Sequence, residues 1–352
     1  MLSACGVHPL PEDVTGLDTY QIVRQIRCET RAAGKKLALD KIREWAHAES
    51  EPLEVRTKSK IILDRYDNDS EEFAANFDPD KEYAGESGRT FRDTLDAIYG
   101  LGLTYAFDLN ISNQRSLNPS AADFVGPWAS KFTLGLAGNF TGKRANERKF
   151  TVTDSIGKLF KDLAKPREGK LYCDGQIVGP NQIYPIAGEI GIYKTLHNFL
   201  QLAVFSNFDT QLKAGGAAPL VDQLAFTTTI DVSLTPKIVF KQIGSDFQPA
   251  DLSGTFDAQR IDNHQVTIGV ALDSTAQAQL AELRDFVYSR KSTPAAAAKP
   301  TPKAAKPTAR LPAQNSLTFQ TIIVAPTTEA EWLSALAVDQ FLNHQLQIYV
   351  KP

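Results

Sequence analysis

Strict alternation of apolar and polar residues over residues 101–112 constrains the fold more than any other feature of the sequence. Every second residue from Leu101 to Ile111 is apolar, and the residues between them are small or polar. Side chains of a strand point alternately to opposite faces, so this pattern predicts a long β-strand with one buried face.

Further alternating segments predict that this strand has antiparallel partners. Residues 132–141 and 150–156 flank the polar segment Gly142–Arg148 and predict a hairpin that turns within that segment. Residues 224–234 and 266–270 predict strands of a second set. Consecutive strands separated by turns favour antiparallel pairing over βαβ units. We therefore expect an α+β fold with an antiparallel β-rich body of about eight strands, sandwich- or barrel-like, with N-terminal and inserted helices.

Helical periodicity and breaker residues complete the organisation of the chain. Helices are predicted at 18–33 and 37–49, separated by Gly34, and an inserted apolar helix is predicted at 193–205. The sequence then divides into five segments. A lipid anchor and tether (1–18) and a helical N-terminal region (19–98) precede the β-rich body (99–290), which ends in a helix at 275–290. A Pro/Ala/Lys-rich flexible linker (291–315) leads to a strand–helix–strand segment (316–352), whose strands, Leu317–Val324 and Leu346–Val350, are expected to join the main sheet.

Composition excludes several classes of function. The 352 residues carry a net charge of −3 with a pI near 6.0, which argues against a nucleic-acid partner. Five histidines and three cysteines are scattered without CxxC, HxxxH or HExxH spacing, so no metal site is predicted. The sequence contains no Gly-x-Ser-x-Gly elbow and no motif that implies a cofactor.

The start of the chain, Leu2-Ser3-Ala4-Cys5, resembles the lipobox of bacterial lipoproteins. The resemblance implies that Cys5 is lipidated, that a signal peptide with a charged start and an apolar stretch lies upstream, and that the membrane is a partner. Gly6, in place of Asp, implies sorting to the outer membrane, facing the periplasm. The alternative is a chance match in a cytosolic protein.

The two remaining cysteines, Cys28 and Cys173, form an even pair for an oxidising compartment. They predict a disulfide that ties the N-terminal helical region to the β-rich body. The alternative is two buried free thiols.

The most suggestive polar group is Asp262-Asn263-His264-Gln265. His264 with Asp262 as its orienting partner has the residue types of a general base. No nucleophile accompanies them, and a turn before a strand, in which Asp and Asn bond to the local backbone, explains the same residues. We therefore predict no catalytic residue and keep Asp262 and His264 as candidates for a polar site.

The linker holds Lys291, Lys299, Lys303, Lys306 and Arg310 and no acidic residue. A basic extended arm could contact an anionic envelope polymer or lipid head group, or serve only as a soluble linker.

In Leu103–Ile111 and Arg260–Gln265 the β-rich body is similar to uncharacterised proteins of alphaproteobacterial type. This resemblance implies no activity. The first hypothesis is an anchored envelope protein, without enzymatic activity, that binds or scaffolds other envelope proteins. The alternatives are a periplasmic hydrolase that uses His264 and a carrier whose β-body encloses an apolar ligand.

Overall fold

A computed structural model gives the fold of the chain. It describes residues 9–66, 70–125, 131–135, 138–166, 169–176, 179–205, 219–235, 237–239, 248–274, 276, 280 and 328–349.

The N-terminal region is organised around one long helix. After the short helix α1 (Glu12–Thr15), helix α2 runs without interruption from Thr19 to His47. Its first turn is closed by a reciprocal pair of hydrogen bonds between Asp18 and Gln21. The prediction that Gly34 separates two helices is wrong. A Cβ at this position would lie 2.8 Å from Ile156 Cγ2, so the glycine allows close packing inside a continuous helix.

Four shorter helices pack beside α2. They are α3 (Leu53–Tyr66), α4 (Ser70–Asn76), α5 (Pro79–Glu82) and α6 (Arg89–Tyr99). Aromatic side chains join them: Trp45 of α2 makes edge contacts with Tyr83 and Phe91, and Phe73 stacks on Phe77. The charged segment between α2 and the sheet is therefore folded, and its aromatic residues form part of the core.

Six strands of the described chain form one antiparallel sheet. They are β1 (Gly102–Val125), β2 (Lys131–Gly135), β3 (Phe140–Ser155), β4 (Leu220–Leu234), β5 (Lys237–Val239) and β6 (Gln248–Ala271). They fill four columns, because β2 and β3 pair with one side of β1, and β4 and β5 pair with one side of β6. Strands β1 and β6 lie at the centre and pair from Gly102–Ala271 to Val125–Gln248.

The antiparallel sheet within a mixed fold is confirmed, but the eight-stranded sandwich or barrel is not what the described residues form. Their one sheet has β3 and β4 in its outer columns. Alternation along a strand reports only that one face is covered, and here helices cover it. The predicted turn at 142–148 is also wrong, since these residues lie within β3 and pair with residues 109–115 of β1. They are polar because this part of β3 is largely exposed.

The two faces of the sheet are covered by different helices. On one face, Tyr105 of β1 donates a hydrogen bond of 2.8 Å to Thr30 of α2, and both side chains are buried. Helices α7 (Ile156–Leu163) and α8 (Ile192–Phe205) complete the layer that includes α2. We call this face the α2 face. The sheet is thus the middle layer of the molecule, and the main core lies between it and α2.

Helix α9 (Glu329–Tyr349) covers the opposite face. Added Cβ atoms would lie 2.3 Å from Ala330 at Gly102 and 2.6 Å from Ser334 at Gly269, so these two glycines let the helix approach the sheet closely. The prediction of a strand from Leu346 is wrong, because the helix continues to Tyr349. Residues 281–327, which include the predicted linker and the strand Leu317–Val324, lie outside the described residues.

Within the described part of the chain, no helix has the length and the apolar character that a membrane span requires.

Candidate functional site

Strand β6 places three polar side chains side by side on the α2 face. Arg260, Asp262 and His264 occupy alternate positions, and Asp262 lies opposite the buried Ile111 of β1. Alternate residues of a strand share a face, so the three side chains lie beneath the helical layer. Tyr184, from the loop before α8, joins them. We call these four residues the polar cluster.

Asp262 is the centre of the polar cluster. Its carboxylate accepts hydrogen bonds from Arg260 Nε at 2.8 Å, from Arg260 Nη2 at 3.0 Å and from the Tyr184 hydroxyl at 3.0 Å. Only 1% of Asp262 is exposed. The bidentate guanidinium and the tyrosine hydroxyl offset the cost of removing this carboxylate from water.

Tyr184 connects Asp262 to His264. Its hydroxyl oxygen contacts both the carboxylate and Nε2 of His264. If the hydroxyl donates its one proton to Asp262, it accepts the proton of Nε2, so the neutral imidazole carries hydrogen on Nε2. His264 Nδ1 is then a bare acceptor, and it is buried with no hydrogen-bond partner among the residues that the structure describes.

Burial keeps the two rings of the polar cluster neutral near neutral pH. Burial lowers the pKa of His264, and the nearby Arg260 lowers it further, while Asp262 acts in the opposite direction. Burial raises the pKa of Tyr184, and the Asp262 carboxylate adds to this effect. Both rings are therefore neutral, between one carboxylate and one guanidinium.

Arg260 also holds the N-terminal segment against the sheet. Its Nη2 donates a hydrogen bond of 2.7 Å to the Leu10 carbonyl, and its Nη1 lies 3.7 Å from the Asp13 carboxylate. Next to it, Asn146 of β3 donates a hydrogen bond of 3.1 Å to the Pro9 carbonyl. The polar cluster therefore fixes where the chain before α1 meets the sheet.

The polar cluster has little capacity for chemistry. Only 3% of His264 and 2% of Tyr184 are exposed, so a substrate has no direct access to either ring. Among the described residues, those that hydrogen-bond to His264 and Asp262 include no Ser or Cys nucleophile. The interpretation of this segment as a turn is wrong, because Asp262 and His264 lie in the middle of β6. The geometry is that of an internal network that orders the sheet.

Two members of the polar cluster were missed by sequence reasoning. Arg260 stands two positions before Asp262, so strand periodicity could have placed it on the same face. Tyr184 lies 78 residues from Asp262, and no local pattern links the two.

The structure joins Cys28 of α2 and Cys173 by a disulfide, with an S–S distance of 2.08 Å. Hydrogen bonds hold the same turn against α2: Arg24 donates to the carbonyls of Tyr172 at 2.6 Å and Asp174 at 2.9 Å. Arg27 donates two bonds of 2.7 Å to Asp154 at the end of β3. The disulfide therefore lies within a set of contacts that fasten α2 to the end of β3 and to the segment that follows α7.

Glu29, also of α2, is a further buried group that sequence reasoning missed. Its carboxylate accepts three hydrogen bonds of 2.8–2.9 Å from the backbone N–H groups of Ile190, Gly191 and Ile192, at the start of α8. Burial raises its pKa, and the three N–H groups oppose that effect. Glu29 caps α8 from a neighbouring helix, which is a structural role.

Of the other predicted site residues, Cys5 and the lysines of the linker lie outside the described residues. Within the part that is described, no three His, Cys, Asp or Glu side chains form a group that could hold a metal ion.

Comparison with known proteins places the chain in a protein family. The model of a family described as "Uncharacterised protein y4kA" matches residues 8–288, which is most of the chain. This chain belongs to the y4kA family. A relative, the uncharacterized protein y4kA of Sinorhizobium fredii, is 31% identical over 285 residues, which cover 77% of this chain and 80% of the relative.

The residues that match the y4kA family include both cysteines of the disulfide and all four residues of the polar cluster. Cys5 and helix α9 lie outside the match. The likeness to uncharacterised alphaproteobacterial proteins is therefore confirmed at the level of the family.

Proposed function

We propose that this member of the y4kA family is a lipid-anchored protein of the bacterial cell envelope, facing the periplasm, whose body binds or scaffolds a partner. The observation that carries the proposal is the disulfide between Cys28 and Cys173. Disulfides form and persist in oxidising compartments such as the periplasm, and they are rare in the cytosol.

The anchor is assigned to the remaining cysteine. With Cys28 and Cys173 paired, Cys5 is the third of the three cysteines in the chain, and it follows Leu2-Ser3-Ala4. A lipobox cysteine carries two or more acyl chains, which is enough for stable attachment to a bilayer. Gly6 in the next position favours the outer membrane.

Binding is favoured over catalysis because of how the polar cluster is built. The hydrogen-bonding groups of Asp262 and Arg260 are directed at neighbours inside the fold, and His264 is covered. A hydrolase that uses His264 would need an opening to this ring. A carrier would need a body that surrounds its ligand, and the described sheet is covered by helices and is not closed around a space.

Metabolic labelling tests the anchor. The gene is expressed in a bacterial host with its natural upstream region, and the cells grow with labelled palmitate. We expect label on the wild-type protein and none on a Cys5→Ser variant, with the wild type in the membrane fraction. An unlabelled wild-type product with its native leader present would overturn the proposal.

A further inference from the structure

Four large side chains form an apolar row across the part of the sheet that extends past the helical layer. Leu117 of β1 lies opposite Phe140 of β3 and Phe256 of β6, and Phe256 lies opposite Leu234 of β4. Directly opposite residues point to the same face, so the row crosses all four columns. Phe140 is 68% exposed, Leu234 55% and Leu117 46%.

This row is on the α2 face. Its member on β1, Leu117, lies six residues past Ile111, which is the last buried residue of β1 on that face. The next row inwards adds Val232, which is 45% exposed, and Gly142 opposite Arg115. A shallow depression of about 500 Å³ lies among Arg115, Leu117, Phe140 and Phe256. Contiguous exposed apolar side chains on a soluble domain indicate an interaction site.

Charges on this part of the sheet are segregated by face. In the rows from Asn113 to Leu117, the α2 face carries Arg115, Arg144 and Arg260 and no carboxylate. The carboxylates of the same rows, Asp231 and Asp257, alternate to the opposite face, together with Lys143. We call the α2 side of these rows the outer face. Arg115 is exposed on it, whereas Arg260 is buried and bonded to Asp262.

The N-terminal segment reaches the sheet at the border of the outer face. The Pro9 carbonyl accepts a hydrogen bond from Asn146. Asn146 lies six residues from Phe140 along β3, which is a distance of about 20 Å. Cys5 precedes Pro9 by four residues, a length of chain that spans at most about 14 Å when it is extended. An anchor on Cys5 would therefore keep the outer face near the bilayer.

We propose that the outer face binds the surface of an anionic lipid bilayer. Apolar side chains enter the interfacial region while Arg115 meets the negative head groups. This inference deepens the proposed function and rests on it, since Cys5 delivers the outer face to the membrane. A bilayer is favoured over a second copy of this chain, because the short segment from Cys5 to Pro9 would bring the outer face to the membrane.

Vesicle sedimentation with the full-length, non-acylated Cys5→Ser protein tests the outer face without the anchor. Vesicles of phosphatidylglycerol and phosphatidylcholine are compared with vesicles of phosphatidylcholine alone. We expect binding to the anionic vesicles, with affinity reduced about fivefold on the neutral ones and at high salt. Equal binding to both lipids, or binding to neither, would overturn the proposal.

Matched variants locate the contact. Phe140→Ser and Leu117→Ser should each lower vesicle affinity about tenfold, because each removes an apolar side chain from the contact. Leu53→Ser alters a side chain that is 71% exposed on α3, and it should have no effect. Arg115→Ala should weaken binding, whereas Lys143→Ala, on the opposite face, should leave it within about twofold. If Phe140→Ser instead dissociates a dimer, or acts no more strongly than Leu53→Ser, the bilayer is not the occupant.

Failure of the outer face and failure of the anchor give different results. Palmitate on Cys5 without vesicle binding by the Cys5→Ser protein leaves the anchor in place and removes the outer-face contact. Vesicle binding that depends on Phe140, without palmitate on Cys5, keeps the contact and removes the anchor that was to deliver it.

Discussion

Removing the Cys28–Cys173 bond should lower the free energy of unfolding by about 3–5 kcal/mol. The two cysteines are 145 residues apart, and in the chain-entropy model closing so long a loop restricts the unfolded chain by about 5 kcal/mol. The native turn should keep its position, because Arg24 still donates to the carbonyls of Tyr172 and Asp174. The loss should therefore arise mainly in the unfolded state.

Urea unfolding, followed by circular dichroism, measures this loss. The wild type is unfolded with and without a reductant, and a Cys28→Ala/Cys173→Ala variant is unfolded under the same conditions. We expect the reduced wild type and the variant to have similar midpoints, both well below that of the oxidised protein. The reductant should not affect the variant, which serves as the control. A reductant effect on the wild type of less than about 1 kcal/mol would refute the reasoning, since the loop would then restrict the unfolded chain very little.

Three further predictions address the polar cluster and α9. Asp262→Ala should lower the free energy of unfolding by about 3–5 kcal/mol, because it removes the bidentate partner of the buried Arg260 and the acceptor of the Tyr184 hydroxyl. Asp257→Ala on the same strand should change it by about 0.5 kcal/mol or less. Burial lowers the pKa of His264 in the folded protein, so below about pH 6.5 the unfolded chain binds a proton there more readily than the folded protein does. The free energy of unfolding that depends on His264 is therefore fully present above that pH and decreases as the pH falls below it. The advantage of the wild type over His264→Gln in urea unfolding should therefore shrink as the pH falls from 8 to 5, and a constant difference would count against a neutral His264. Gly269→Val should displace α9 and cost about 1–3 kcal/mol in thermal unfolding, because a Cβ there lies 2.6 Å from Ser334, while Gly142→Val, in open space on β3, should be nearly neutral.

Local periodicity was sufficient where the pattern of one segment reports directly on its own conformation. The alternation from Leu101 places β1, the run from Leu224 places β4, and the apolar stretch from Tyr193 places α8. Each of these elements has one face against the core, so its sequence carries the period of its own geometry.

Predictions from the sequence pattern were wrong where the same residue types are typical of two different local structures. Glycine is common at helix ends, but Gly34 lies in the middle of α2, where the absence of a Cβ allows close contact with Ile156. Residues 142–148 have the composition of a turn, but they are polar because β3 is exposed there. Only the neighbours of each segment distinguish these explanations.

Patterns within consecutive residues were enough to indicate a half-buried antiparallel sheet and an N-terminal helical region. Contacts between distant segments place Tyr184 against Asp262 and His264, and they set Glu29 at the start of α8. The register of the strands places four apolar side chains in one row: Phe140, Leu117, Phe256 and Leu234. These groups join residues that are many positions apart. Their positions depend on strand register and on which helix covers which face, and no short-range pattern specifies either.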